Sequence, residues 1–234
     1  MWPPPSSPRA YSEVMELEGT LRARVERYLD LLYSANRSLN LTRVSRNDAF
    51  RRHIEESLSL LELAPWEDGA EALDLGSGGG LPGIPLALAR PGVRLRLLER
   101  TQKKARFLTA TAAELGLGSV EVVALDSRDY RSTPSFRAPD YLVSRAALPL
   151  ARLIPEVGRI LAPGGTALLL VSPESVDGGV EQLASTAGLT GVAVLRPGPA
   201  TVLRLRRGAP LSRSPGTPAG APIQRPPRGQ RPRG

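Results

Sequence analysis

Apolar residues recur along the first part of the chain at three- and four-residue steps, the period of an amphipathic helix. The first stripe consists of Val14, Leu17, Leu21, Val25, Leu29 and Leu32. The stretch Asn36–Thr42 interrupts it, and a second helical pattern runs from Ile54 to Leu63, ending before Pro65. The pattern therefore predicts a helical amino-terminal cap over residues 11–68.

From residue 71 the pattern changes to short apolar runs of strand length. These runs occupy residues 71–75, 93–98, 120–125, 140–144, 166–171, 192–195 and 201–205. The intervening stretches of helix length are 83–90, 101–115 and 149–161. Alternating strands and helices predict a mostly parallel sheet, with ligands at the carboxyl ends of its strands. The proline- and glycine-rich segment 196–200 favours a terminal hairpin, so that one strand of this α/β domain (residues 69–207) is antiparallel.

The net charge of +8 is concentrated at the carboxyl terminus. From Arg206 to Gly234 there are seven arginines and no acidic residue, which leaves 24 basic and 23 acidic residues in the rest. We expect residues 208–234 to be a disordered basic tail rich in arginine and proline. Such a tail could pair with an anionic polymer or merely solvate the chain. The first ten residues, rich in proline and serine, are also expected to be disordered.

Composition also limits the chemistry. With no cysteine and one histidine, His53, the chain cannot form disulfides, and we expect no metal site. No apolar run reaches the roughly 18 residues that span a bilayer, and the amino terminus lacks the features of a signal peptide. We therefore expect a cytoplasmic protein that makes no membrane contact, and a monomer.

The most specific motif is the glycine-rich stretch Leu73–Gly83, where the first strand passes into a helix. It is not a P-loop, because Ile84-Pro85 stands where the lysine and hydroxyl residue belong. A dinucleotide loop starting at Gly76 would meet Leu81 at its third glycine position, which disfavours that class. The acidic-x-Gly-x-Gly-x-Gly loop of S-adenosylmethionine-dependent methyltransferases is matched by Asp74, Gly76, Gly78 and Gly80. Its glycines would let the backbone approach the cofactor, and its acid would pair with the cofactor ammonium or stabilise the loop.

Acidic residues also follow the next two predicted strands. Glu99 ends the second strand, 25 residues after Asp74, where a carboxylate can accept both ribose hydroxyls. The third strand is followed by Asp126, Asp129 and Tyr130, near the position of an adenine edge. Each acid alone would be typical of a solvated strand end, but three behind a glycine loop favour a cofactor site.

Further motifs lie outside the glycine loop. They are Asn40-Leu41-Thr42, Arg52-His53-Ile54, Asp74–Pro85, Lys103–Leu108 and Ser144-Arg145-Ala146. With these motifs, the chain from about Tyr28 to about Leu205 resembles the bacterial RsmG (GidB) methyltransferases. The resemblance implies a seven-stranded, Rossmann-like class I methyltransferase fold and S-adenosylmethionine as cofactor. It also implies methylation of guanine N7 in small-subunit ribosomal RNA, with that RNA or the ribosomal particle as partner.

The resemblance also implies particular site residues. Combined with the loop and strand-end acids, the expected cofactor-binding residues are Asp74, Gly76, Ser77, Gly78, Leu81, Glu99, Asp129, Tyr130 and Arg145. The expected catalytic residues at the junction of cofactor and RNA are Arg145, His53 and Asn40. His53 could equally be a packing or capping residue, and Asn40 could hold a turn. The chain departs from the family at Glu56, usually an aspartate, and at Val171-Ser172-Pro173, which lacks the usual lysine.

The chemistry of this reaction needs positioning more than proton transfer. Guanine N7 carries a free lone pair, so no general base is required. Arg145 could hydrogen-bond guanine O6 or a phosphate. The target base must leave its stack, and the candidate stacking residues are Tyr33, Tyr130 and Tyr141.

Two groups of basic residues could contact phosphates or could be only solvated helix faces. They are Arg43, Arg46, Arg51 and Arg52, and Arg100, Lys103, Lys104 and Arg106. Two other functions remain open: a methyltransferase of the same fold that acts on a small molecule or protein, and a non-catalytic RNA-binding relative.

Overall fold

The computed structural model describes residues 8–145, 148–176 and 179–208, with side chains from residue 19 onward. Of the segments predicted to be disordered, 1–10 and 208–234, residues 1–7 and 209–234 lie outside the described residues, whereas residues 8–10 are helical.

Seven strands form one sheet within the described residues. They are β1 (Glu71–Leu75), β2 (Arg94–Leu98), β3 (Val120–Val123), β4 (Tyr141–Arg145), β5 (Thr166–Leu170), β6 (Leu189–Leu195) and β7 (Val202–Arg207). Their order is β3-β2-β1-β4-β5-β7-β6, and β7 runs antiparallel to both of its neighbours, β5 and β6. The predicted mostly parallel sheet with a terminal hairpin is therefore confirmed. The strand order reverses between β1 and β4, whose carboxyl ends lie side by side.

Helices cover both faces of the sheet. They are α1 (Pro8–Leu39), α2 (Glu56–Leu58), α3 (Gly83–Ala89), α4 (Gln102–Glu114), α5 (Ser127–Arg131), α6 (Leu150–Ile160) and α7 (Val180–Thr186). A π-helix, Phe50–Glu55, leads directly into α2, and 3-10 helices follow at Ser59–Leu63 and Pro173–Ser175. Among the described helices, none is long and apolar enough to cross a membrane.

Both faces of the sheet bury apolar side chains, which explains why the parallel strands are nearly continuous apolar runs. On one face, Leu97 and Val143 pack in the same cluster as side chains of α1, α3 and α4. On the other face, Leu73 and Leu169 pack in a cluster with side chains of α6 and α7. The amino-terminal cap thus shares its core with one face of the sheet.

Helix α1 differs in length from its prediction. It begins at Pro8 rather than at residue 11, and proline is well tolerated in a first helical turn. It ends at Leu39, after which Asn40 has a φ of 50°. Asparagine is a frequent choice in this left-handed position, which ends a helix by turning the chain away from its axis.

Some elements differ from the apolar runs that predicted them. Strand β6 begins at Leu189, three residues before the run that starts at Val192. Between Thr190 and Ala193 the pairing with β7 is irregular, and Gly191 in that interval has a φ of 60°. A bulge interrupts the two-residue alternation on which the prediction relied. The short helices α5 and α7 were not predicted.

The packing of the helices can be tested at Gly158, which lies away from the carboxyl edge of the sheet. It lies in α6, where an added Cβ would overlap the backbone carbonyl oxygen of Ala187. Because a backbone atom cannot rotate aside, Gly158→Ala is expected to lower the free energy of unfolding by about 2 kcal/mol. Denaturant unfolding would measure the change. In the control Gly118→Ala, where the Cβ meets nothing within 4 Å, a loss as large as that of Gly158→Ala would contradict the explanation.

Candidate active site

The glycine loop follows β1 at the point where the strand order reverses. Gly76, Gly78 and Gly80 have φ values of 75°, 56° and 95°, which residues with a side chain rarely adopt. The backbone N–H groups of Gly76 and Ser77 both donate to the carbonyl oxygen of Leu98, at 2.9 and 3.0 Å. The loop is therefore folded back over the carboxyl end of β2.

Glu99 fixes the outer part of this loop. Its Oε2 atom accepts a hydrogen bond from the Gly78 N–H at 3.0 Å, and its Oε1 atom accepts one from the Thr101 N–H at 2.7 Å. The carboxylate thus joins the glycine loop to the first residues of α4. Sequence reasoning predicted a contact with ribose at this position, and each oxygen retains a lone pair for a further donor.

Asp74 fixes the inner part of the loop. It is fully buried, and its Oδ2 atom accepts a hydrogen bond from the Gly83 N–H at 3.0 Å. Its Oδ1 atom is buried without a hydrogen-bond partner among the described residues. Burial raises the pKa of this carboxyl to about 7, against the opposing effects of the Gly83 N–H, Ser77 and Arg145. Of the two predicted roles of Asp74, the contact with the loop is present in the structure.

The raised pKa of Asp74 predicts a dependence of stability on pH. Between about pH 4 and pH 7 the folded protein holds a proton that the unfolded chain releases, so stability falls as pH rises through this range. Asp74→Asn keeps the acceptor for Gly83 and removes the titration. The free energy of unfolding of the wild type minus that of Asp74→Asn is expected to fall by about 4 kcal/mol across this range. Denaturant unfolding at several pH values would measure it, and a constant difference would contradict the burial argument.

Helix α1 packs directly on the glycine loop. The buried Tyr28 hydroxyl donates to the carbonyl oxygen of Gly79 at 2.9 Å. A Cβ at Gly79 would lie 2.8 Å from Leu32 Cδ1 and 3.3 Å from Leu41 Cβ. Only glycine at position 79 lets the loop approach the cap so closely. The sequence pattern does not predict the contact of Tyr28.

The Asn-Leu-Thr turn is organised by Asn36, which precedes the sequence motif. Asn36 Oδ1 accepts hydrogen bonds from the N–H groups of Leu41 and Thr42, at 2.6 and 2.9 Å. Its Nδ2 atom donates to the carbonyl oxygen of Thr42 at 3.0 Å. Asn40 itself is exposed and contributes its left-handed backbone to the turn. The turn-holding side chain is therefore Asn36, whereas sequence reasoning offered this role to Asn40.

His53 connects this turn to the end of β4. It is 3% exposed and lies on the π-helix, with Nε2 at 2.8 Å from Thr42 Oγ1 and Nδ1 at 3.1 Å from Arg145 Nη1. Because the guanidinium can only donate, the contact with Arg145 is a hydrogen bond when Nδ1 accepts and Nε2 carries the hydrogen. The contact of Nδ1 with the Arg52 carbonyl oxygen, at 3.2 Å, is a hydrogen bond in the other tautomer. Burial and the charge of Arg145 lower the pKa of His53 to about 4. The imidazole is therefore neutral at physiological pH.

Arg145 occupies the carboxyl end of β4, where several groups of the cap meet it. Its Nη1 atom donates to the Arg52 carbonyl oxygen at 2.6 Å, and its Nη2 atom lies 3.1 Å from Glu56 Oε2. Nε and Nη2 are buried and have no hydrogen-bond partner among the described residues. Burial lowers the pKa of Arg145, and Glu56 opposes that shift. Next to it, the Ser144 hydroxyl donates to the carbonyl oxygen of Leu75 at 2.8 Å, which ties the end of β4 to the end of β1.

Two further expected cofactor residues are buried parts of the loop. The Ser77 hydroxyl donates to the carbonyl oxygen of Asp74 at 3.0 Å. The Leu81 N–H donates to the carbonyl oxygen of Ser77 at 3.2 Å, and the Leu81 side chain belongs to the core that includes α1. The structure thus brings Asp74, Gly76, Ser77, Gly78, Leu81, Glu99, His53 and Arg145 to one edge of the sheet.

Tyr130 does not join this group. Its ring is buried on the opposite side of the sheet, edge-on to Phe136 with centroids 5.4 Å apart. Burial raises the pKa of its hydroxyl, and the charge of Arg96 opposes the rise. The ring is therefore part of the core, and a contact of Tyr130 with the cofactor stays a prediction.

The structure places Asp129 and Tyr141 on other elements than the glycine loop. Asp129 is exposed in the first turn of α5, where its N–H donates to Asp126 Oδ1 at 2.9 Å. Tyr141 starts β4 and is buried against Trp66 with ring centroids 4.7 Å apart. It therefore lies at the amino edge of the sheet and is wrong as a candidate for stacking on the target base. Tyr33 is half-buried beside the Asn-Leu-Thr turn, with its hydroxyl 2.8 Å from the Val44 carbonyl oxygen.

Comparison with known proteins identifies relatives of this chain by sequence. A family model described as GidB, rRNA small subunit methyltransferase G, matches residues 22–188. The ribosomal RNA small subunit methyltransferase G of Alkalilimnicola ehrlichii is 42% identical over 154 residues, which cover 65% of this chain and 67% of that protein. The protein of the same name from Frankia alni is 36% identical over 230 residues, which cover 92% and 84%. For Sorangium cellulosum the identity is 40% over 66% of this chain and 65% of the relative, so the match spans about two thirds of that relative.

Solved structures share the fold at low sequence identity. MtNAS in complex with MTA and tNA has a TM-score of 0.57 at 16% identity, over 82% of this chain and 75% of that one. The S-adenosylmethionine-dependent methyltransferase SibL has a TM-score of 0.53 at 20% identity, over 65% and 54%. At these identities the likeness concerns the fold alone.

Proposed function

This chain belongs to the GidB family of small-subunit ribosomal RNA methyltransferases, and we propose that it methylates N7 of a guanine in that RNA. The methyl donor of this class is S-adenosylmethionine. One observation supports the proposal above all. The glycine loop after β1 and the Arg145–His53–Glu56 cluster at the end of β4 lie side by side at the point where the strand order reverses. Ligands of open α/β sheets bind at such a point.

The loop has groups that fit the cofactor. The buried Asp74 Oδ1 lacks a hydrogen-bond donor among the described residues, and the cofactor ammonium would supply one. At Gly78 an added Cβ would meet nothing nearer than the Gly76 carbonyl oxygen at 3.9 Å, which leaves room for a ligand against the backbone. Glu99 would accept the ribose hydroxyls. When bound, S-adenosylmethionine supplies an electrophilic methyl group on a sulfonium.

The cluster around Arg145 would orient the target base. Arg145 Nε and Nη2 have N–H groups left for guanine O6, the usual partner of arginine on that edge. Glu56 offsets the charge of the guanidinium, which suits a base that becomes positively charged as N7 accepts the methyl group. Asn40, exposed at the turn beside this cluster, would contact the RNA.

Proton transfer would have no part in this reaction. His53, the only histidine, is neutral, and Arg145 and Thr42 engage both of its ring nitrogens. With a pKa near 4 it is a weak base at neutral pH. This suits an attack by N7, whose lone pair needs no deprotonation, so alignment with the methyl group would supply most of the rate.

The partner follows from the family. A ribosomal RNA substrate, naked or in the assembled particle, would place the protein in the cytoplasm, where we propose that it acts as a monomer. The target guanine would have to leave its stack to reach the buried cluster.

Transfer of a labelled methyl group tests the proposal. Small-subunit RNA and particles from cells that lack this protein would be incubated with S-adenosylmethionine, with large-subunit RNA as control. Label is expected in small-subunit RNA alone. Absence of label from both RNA and particles, while the protein still binds the cofactor, would refute an RNA substrate and leave a small molecule or protein as acceptor.

A further inference from the structure

The beginning of α4 carries an unusual group of charges. Arg100, Lys103 and Arg106 are exposed and form no ion pair or hydrogen bond within the part of the chain that the structure describes. We call these three residues the α4 cation cluster. No acidic residue occurs from residue 100 to residue 113. The cluster is therefore a patch of one sign, to which the half-buried Lys104 adds a fourth charge.

Local physics disfavours cations at this position. The amino end of a helix carries a partial positive charge, so acidic residues are stabilising there and basic residues are not. The first turn of α4 contains no acid, and Lys103 and Arg106 stand three residues apart, where like charges repel. The arrangement costs stability within the folded chain, which points to an external anion as the compensating partner.

Several other cations pair with acidic side chains within the described residues. Arg96 lies between Glu71 and Glu121, at 2.7 and 3.1 Å. Arg46, in the second basic group of the sequence, lies 2.7 Å from Glu26 and 3.2 Å from Asp30.

A cation near Arg145 is also paired with an acidic side chain. Arg52 Nε lies 2.9 Å from Glu56 Oε1. Two of the four arginines in the 43–52 group, Arg46 and Arg52, are thus paired. None of the three cations of the α4 cation cluster is paired within the described residues.

The α4 cation cluster also lies beside the cofactor loop. Glu99 binds the Gly78 N–H with one oxygen and the Thr101 N–H with the other, and Thr101 immediately precedes α4. The cluster and the glycine loop therefore share the carboxyl edge of β2. An anion bound to the cluster would flank a substrate base that reaches the loop.

We propose that the α4 cation cluster binds backbone phosphates of the substrate RNA next to the methylated guanine. This inference rests on the proposed function, because it takes the partner to be RNA. Phosphate contacts of this kind fix the position of a nucleic acid without reading its sequence. They release counterions, so each contact makes binding more dependent on salt.

The test is the salt dependence of RNA binding by the triple variant Arg100→Gln, Lys103→Gln, Arg106→Gln. Its affinity for small-subunit RNA is expected to fall about 10-fold at moderate salt. The negative slope of log affinity against log salt is expected to decrease in magnitude by about 2. Affinity for S-adenosylmethionine should stay unchanged, and the melting temperature should stay level or rise, since unfavourable helix charges are removed.

The matched control removes three arginines at the opposite edge of the sheet: Arg94→Gln, Arg159→Gln and Arg206→Gln. Both variants lower the net charge by the same amount, so a general electrostatic effect would change them equally. Equal slopes in the two variants would overturn the proposal, as would a parallel loss of cofactor affinity in the cluster variant. If the wild type binds RNA with the expected slope difference but never methylates it, the proposed function fails while the phosphate surface stands.

Discussion

Replacing Arg145 with lysine is expected to lower kcat for methyl transfer by about 100-fold, the effect of losing a preorganised hydrogen-bond donor. Arg145 reaches the Arg52 carbonyl oxygen, His53 Nδ1 and Glu56 at once. This needs a planar group with several donors, which a lysine ammonium cannot reproduce. The variant keeps the positive charge, so an effect of charge alone would leave kcat unchanged.

Steady-state kinetics with small-subunit RNA would measure the effect. Since Arg145 is also an expected cofactor-binding residue, kcat would be measured at saturating S-adenosylmethionine, which separates the chemical step from cofactor affinity. The control Arg159→Lys alters an exposed arginine of α6 that pairs with Glu156, and it should retain full activity. A kcat for Arg145→Lys within about threefold of the wild type would show that Arg145 does not act on the reacting base.

The second large effect is expected at Glu99. Glu99→Gln preserves size but replaces one carboxylate oxygen with an NH2 group, which cannot accept a hydrogen bond. Either the Gly78 N–H or the Thr101 N–H then loses its acceptor. Loss of a charged hydrogen bond of this kind amounts to about 1.5–3 kcal/mol, so the Kd for S-adenosylmethionine should rise about 10- to 100-fold.

Isothermal titration calorimetry with the cofactor would test this expectation. Glu114→Gln is the matched control, because Glu114 is the last residue of α4, at the end away from Glu99, and it pairs with the exposed Arg27. Its affinity should equal that of the wild type. An unchanged Kd in Glu99→Gln would mean that Glu99 neither holds the loop nor touches the ligand.

The fold and the family could be predicted from the sequence, and both predictions are confirmed. Strands such as β1 were easily recognised because parallel strands covered on both faces are continuous apolar runs. The start of β6 was not, because the irregular pairing near Gly191 breaks the alternation of side chains.

The site was less predictable, because motifs give chain positions without side-chain directions. Tyr130 follows a strand that ends near the cofactor loop, yet its ring is buried in the core against Phe136. Asn40 belongs to the motif, whereas Asn36 holds the turn, and the only signal was an asparagine near the end of a helix. The pairing of Glu56 with Arg145 joins distant parts of the chain, and no local pattern encodes it.

The most direct test of the central claim is the identity of the methylated atom. Small-subunit RNA methylated by the wild-type protein would be digested to nucleosides and analysed by mass spectrometry, with aniline cleavage after borohydride reduction to map N7-methylated guanines. We expect 7-methylguanosine at a single position, formed about 100-fold more slowly when Arg145→Lys replaces the wild type. A methyl group on an exocyclic nitrogen, a carbon or a ribose hydroxyl would contradict it, because those atoms require removal of a proton, whereas attack by N7 does not.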